Sequence, residues 1–199
     1  MNAAQPISIE YRFEWPDGRT LAVPILLDAE TLQVVARPQA EDDLPWVQLG
    51  ASQCPNCPLG VDTHPRCPVA QRVAPLLTQF ADATSFEAVK VEVCTAERNY
   101  SASTTVQQGV SSMLGLVMAT SGCPVLDPLR PMARFHLPFA SYEETAYRAL
   151  SMYLVAQHLR ANQGLAPDWA LDGYIAMYEA IQQTNAAFGQ RLKRFITND

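Results

Sequence analysis

Cys54, Cys57, His64 and Cys67, in the stretch CPNCPLGVDTHPRC, carry the side-chain types that bind soft metal ions. The spacing is cysteine, two residues, cysteine, six residues, histidine, two residues, cysteine. A two-residue gap between thiolates is a zinc-knuckle spacing, and His64 with Cys67 repeats that gap. One zinc held by these four side chains would tie the loop to the segment after Cys67. Two other chemistries draw on the same residues. Cys54 and Cys57 have the spacing of a redox dithiol, although Pro58 and Gly60 interrupt the helix that such a motif opens. Cys54, Cys57 and Cys67 with the distant Cys123 could ligate an iron–sulfur cluster. Each of those four is followed by proline, as some cluster cysteines are, but their spacing lacks ferredoxin regularity. The plain alternative is that the thiols are small buried hydrophobes in a rigid loop.

A second candidate site falls in SGCPVLDPLRPMARFHLP, where Arg130, Arg134 and His136 follow Cys123. Guanidinium forks suit a carboxylate or phosphate, so this group could receive an anion. The competing account is that each arginine pairs with a neighbouring carboxylate or caps a helix and that His136 donates to a backbone carbonyl. His136 beside Cys123 would make a base and nucleophile, but Pro124 argues against a strand-to-helix elbow there. Metalloprotease, phosphate-loop, nucleophile-elbow and calcium-loop motifs are absent from the sequence.

The elements that must position these groups follow from hydrophobic periodicity. Residues 7–13 alternate apolar and polar, Pro16-Asp17-Gly18 is a turn, and 20–27 is strand-like, which predicts a hairpin. Residues 31–37 read as a third strand, 46–49 as a short strand, and 88–96 as a further one. Apolar spacing predicts helices over 69–80, 105–119, 141–158 and from about 167 to 195. Ser141 and Glu144 have the spacing of a capping box. The last helix shows a heptad seam through Leu171, Tyr174, Tyr178, Ile181, Asn185, Phe188, Leu192 and Phe195. The expected fold is α+β: an N-terminal antiparallel sheet of three to five strands packed with a mainly C-terminal bundle of about four helices. Residues 1–199 are expected to form a single domain, sheet-rich over 1–96 and helix-rich over 104–196.

Of the 199 residues, 14 are Lys or Arg and 20 Asp or Glu. Seven of the basic and thirteen of the acidic residues lie in 1–100. Such a half offers no footprint for a phosphate backbone, so nucleic acid is not an expected partner. The apolar run Met113–Ala119 falls far short of the roughly 20 residues that span a bilayer. The first residues lack a basic start followed by an apolar core. An odd cysteine count then disfavours a disulfide framework, and the cytoplasm is the expected compartment.

The stretches QCPNCPLGVDTHPRCPVA, GVSSMLGLVMATSGCP and LRPMARFHLPF resemble an uncharacterised bacterial domain family of unknown function, over nearly the full length. The resemblance implies a complete bacterial unit and brings no activity, ligand set or catalytic role. The residues themselves predict a non-catalytic binding or regulatory module with a structural zinc on Cys54, Cys57, His64 and Cys67, with a homodimer through its C-terminal helices as a candidate assembly. The alternative is a redox or iron–sulfur protein using Cys54, Cys57, Cys67 and Cys123.

Overall fold

Alternation in the first half resolves into one antiparallel sheet of four strands in the order β2-β1-β3-β4, with β1 Ile7–Glu14, β2 Thr20–Leu27, β3 Ala88–Cys94 and β4 Asn99–Thr105. The computed structural model describes residues 5–35 and 44–195, without the side chain of Phe195. Successive strand residues point to opposite faces, so Ile9, Tyr11, Phe13, Val23, Ile25, Leu27, Val89, Val91 and Val93 all fall on one face and are buried. Register reinforces this, because Tyr11 lies opposite Val23 and Val93, and Phe13 opposite Val91. Burying each such side chain stabilises the fold by about 1.5–3 kcal/mol. Pro24 interrupts no ladder because β2 is an edge strand.

Four α-helices supply the rest: α1 Pro68–Leu77, α2 Val106–Ala119, α3 Tyr142–Asn162 and α4 Asp172–Phe195. A 3-10 segment, Asp127–Phe135, separates α2 from α3. The fold is therefore α+β, with its helices mostly C-terminal. Helix α2 lies on the sheet at Gly109, where an added Cβ would come within 2.7 Å of Phe13 and 2.9 Å of Val91. Helix α3 opens with the reciprocal capping box of Ser141 and Glu144 that the sequence predicts. Among the described residues no helix is long and apolar enough to cross a membrane.

Three local expectations are corrected. The strand expected at 31–37 is reduced to one bridge between Val34 and Leu27, and residues 36 and 37 lie outside the described residues. The Asp28 carboxylate accepts the backbone N–H groups of Glu30 and Thr31, and Leu32 has φ 58°, so a turn replaces extended chain. The short strand expected at 46–49 is a pair of 3-10 turns, Pro45–Val47 and Leu49–Ala51. β4 occupies a segment where no strand is expected; its inner face, Tyr100, Ala102 and Thr104, is only half-buried at the sheet edge.

The expected seam of α4 is buried or half-buried at all its described residues except Asn185, and its most buried stripe also takes in polar residues. Ile181 and Phe188 are buried as expected, but their neighbours on that face are Thr184 and Arg191, and Asn185 is exposed. The stripe packs on its own chain, against the segment leading into the cysteine loop.

Candidate functional site

The loop between the 3-10 turns and α1 is closed at its neck. Leu49 N–H donates to Pro65 O at 2.8 Å, Cys67 N–H to Val47 O at 2.8 Å, and Gln48 bridges Arg66. Inside it, Cys54-Pro55-Asn56-Cys57 forms a tight turn, with Cys57 N–H on Cys54 O at 3.0 Å and proline at the position where its fixed φ is suited. Asn56 points away from the turn and is held by α4: its amide donates to Ala180 O at 2.8 Å, and the Thr184 hydroxyl donates to its Oδ1 at 3.1 Å. Cys67 is the N-cap residue of α1, extended before Pro68 as a residue preceding proline must be.

Cys123 arrives from another direction. Helix α2 ends at Thr120, Gly122 turns the chain with φ +87°, and the Ser121 hydroxyl accepts the Cys123 N–H at 3.2 Å. The Cys123 carbonyl then accepts from Leu126 and Asp127, opening the 3-10 segment.

These two approaches meet. Cys54, Cys57, Cys67 and Cys123 line one largely enclosed cavity, walled by Leu49, Val69, Val125 and Phe188 and closed on the α4 side by Thr184 and Arg191. All four are free thiols. Cys67 and Cys123 are buried, Cys54 and Cys57 half-buried. Burial, and secondarily the neighbouring Cys67, pushes the Cys54 thiol up to about 11; burial also raises that of Cys123. The cavity leaves about 20 Å³ for the centre of a water-sized sphere, about the room of a single water molecule. One zinc with its roughly 2.3 Å bonds to sulfur would draw four sulfurs into contact around it. Among the described residues no three His, Cys, Asp or Glu side chains are placed to hold a single ion directly.

His64 is not at this cavity. It sits at the exposed tip of the loop, where backbone N–H groups of Thr63 and His64 both reach Gly60 O and the imidazole Nδ1 lies 3.0 Å from the Thr63 hydroxyl. Hydrogen bonding within the turn thus holds the ring away from the thiols with which it was expected to coordinate. Cys94, the fifth cysteine, lies at the end of β3.

The second expected group comes together only in part: Arg134 and His136 line one pocket with Ile7, Ile9 and Tyr100. Cys123 belongs to the thiol cavity, Arg130 pairs with Asp127 at 3.3 Å, and Arg134 is exposed. His136 instead turns under the sheet, with Nε2 2.6 Å from the buried Tyr11 hydroxyl, which also lies 3.1 Å from Ser112 Oγ. Burial, with Arg148 nearby, holds His136 down at about 4, so its ring is neutral at pH 7. His136, Ser112 and Arg148 share a groove of about 730 Å³ with Leu129 and Met132 of the 3-10 segment. Arg148, its charge disfavoured by burial, donates to Met132 O and Phe135 O.

Sequence reasoning missed Arg191. It is 1% exposed, the only buried charged side chain among the described residues. Nη1 donates to Trp46 O at 2.6 Å and Gln48 O at 2.9 Å, Nη2 to Leu49 O at 3.2 Å and Ser52 O at 2.5 Å, and Nε to Ser52 O at 3.1 Å. Its spacing of seven from Thr184 and three from Phe188 was the available signal, hidden because Lys193 and Arg194 make it resemble an ordinary basic helix end.

An α+β fold whose loop, helix end and C-terminal helix enclose four thiols and a buried guanidinium defines a protein with a cysteine-lined internal site. Residues 9–199 match the family described as Domain of unknown function (DUF6901), and the chain belongs to that family. No curated protein and no solved structure matches it.

Proposed function

We propose that the chain is an iron–sulfur protein in which Cys54, Cys57, Cys67 and Cys123 are the four thiolate ligands of a [4Fe–4S] cluster. The observation that carries this reading is the convergence of four thiols, from two stretches far apart in sequence, on one enclosed apolar cavity. Two further features support it. The four cavity cysteines are the four followed by proline, whereas Cys94 is followed by Thr95. A proline there fixes the backbone and presents no N–H that would compete for a partner in a dry site. With protein thiolates on all four irons, no open position is left for a substrate. The chemistry such a site supplies is then storage or exchange of one electron with a protein or small-molecule one-electron partner.

Anaerobic purification of the untagged chain followed by iron, zinc and acid-labile sulfide analysis tests this. The expected result is a brown protein with four irons and four sulfides per chain. Serine in place of Cys54, Cys57, Cys67 or Cys123 lowers that content, whereas C94S and H64A retain it. A colourless protein with one zinc per chain, lost in H64A, would instead establish the mononuclear zinc site; no metal in any preparation would leave a dithiol or a simple buried loop.

A further inference from the structure

Arg191 presents an electrostatic problem that its hydrogen bonds do not solve. A guanidinium has five N–H donors, and the five bonds to the carbonyls of Trp46, Gln48, Leu49 and Ser52 use them all. Carbonyl dipoles orient toward the cation but leave its full charge in place. Among the described residues no carboxylate lies within ion-pair distance of Arg191; the ion pairs of Arg12, Arg19 and Arg130 all lie elsewhere. An unpaired buried charge is costly, and folded proteins retain one where an opposite charge faces it. Arg191 also lines the cavity with the four cysteines.

We propose that Arg191 is the charge partner of the anion held by those cysteines: a positioning residue that fixes the loop and sets the reduction potential of the cluster by its field. This rests on the iron–sulfur reading. With four thiolates the oxidised cluster carries two negative charges. It takes up one electron from a one-electron donor, which is oxidised by one electron, and then carries three; no bond forms or breaks. A cation against the cavity wall stabilises the state with more negative charge, and low local polarity strengthens the effect. Arg191 therefore raises the potential. Because every donor is engaged by the backbone, it acts through charge and not by hydrogen bonding to sulfur.

The test is a dithionite titration of the anaerobic full-length protein, with iron and sulfide measured in each sample. R191Q, fully loaded, is expected to have a potential lower by at least 59 mV, a tenfold change in a one-electron equilibrium. K193Q removes an exposed charge near the same helix end and is expected to stay within that limit. R191K, which keeps the charge, is likewise expected to stay within it; should R191Q not fold or load, R191M, which also removes the charge, takes its place. A fully loaded R191Q at the wild-type potential, or a loaded R191K lowered by tenfold or more, overturns the role of Arg191 while leaving the cluster in place. Wild-type protein without iron and sulfide overturns the parent reading instead.

Discussion

At the scale of single residues, the chain holds two polar groups inside its core by opposite means. Arg191 is ionised and surrounded by acceptors, whereas His136 is held neutral by burial beside Tyr11. With its proton on Nδ1, His136 accepts the Tyr11 O–H through Nε2. Ser112 can then donate to the phenol oxygen while accepting the Phe139 N–H at 3.1 Å. A histidine at about 4 in the folded chain against 6.5 ordinarily binds its proton less readily in the native state. Its contribution to stability is full above pH 6.5 and is lost as pH falls toward 4, amounting to about 3 kcal/mol. H136Q, whose amide oxygen can still accept from Tyr11, should remove that part of the pH dependence. Urea unfolding at pH 7 and pH 4.5 measures it: the wild type should lose more stability than H136Q between the two, and equal losses would refute the assignment. Asp17, Asp28, Glu87 and Asp168, held low by their hydrogen bonds, titrate alike in both proteins and cancel in the comparison.

At the scale of elements, the decisive contact is α2 on the sheet. Glycine inside a helix costs about 1 kcal/mol relative to alanine, so an exposed Gly→Ala change there would stabilise. At Gly109 the sign reverses, because a Cβ would press on the Phe13 ring and the Val91 methyl, both in the core. G109A should therefore destabilise by about 1–3 kcal/mol. G115A, on the same helix with open space around its Cβ position, should be neutral or stabilising. Chemical denaturation of the two variants checks both signs. A stabilised G109A would show that α2 sits farther from the sheet than described.

At the scale of the whole molecule, the cysteine cavity is where three segments distant in sequence close on one another. Its walls come from the loop before α1, the turn after α2 and the C-terminal half of α4. Apart from the Asn56 contacts and Arg191, the loop and α4 are joined by packing around this site. The proposed cluster, bound only by the native state, would add stability by mass action, and its loss should be felt first where it would bridge. On that proposal, stripping the cluster with ferricyanide and chelator should lower the unfolding midpoint. It should also raise amide hydrogen exchange in residues 180–191 of α4 well before β1 and β3. Exchange that rises uniformly across sheet and helix, or not at all, would count against this coupling.

Periodicity and turn chemistry along the chain determined the α+β class, three of the four strands, the capping box of α3 and the neighbourhood of Cys54, Cys57 and Cys67. These features arise between residues close in sequence, where the geometry of strand, turn and helix cap converts spacing directly into placement. The order of the strands, the edge position of the polar β4, the return of Cys123 to the other three cysteines and the outward turn of His64 were decided only by the tertiary structure. So was Arg191, 137 residues after Cys54 in the chain (191 − 54) yet on the same cavity wall. A residue's type and spacing specify which face of a helix it occupies; what lies against that face depends on how distant elements pack.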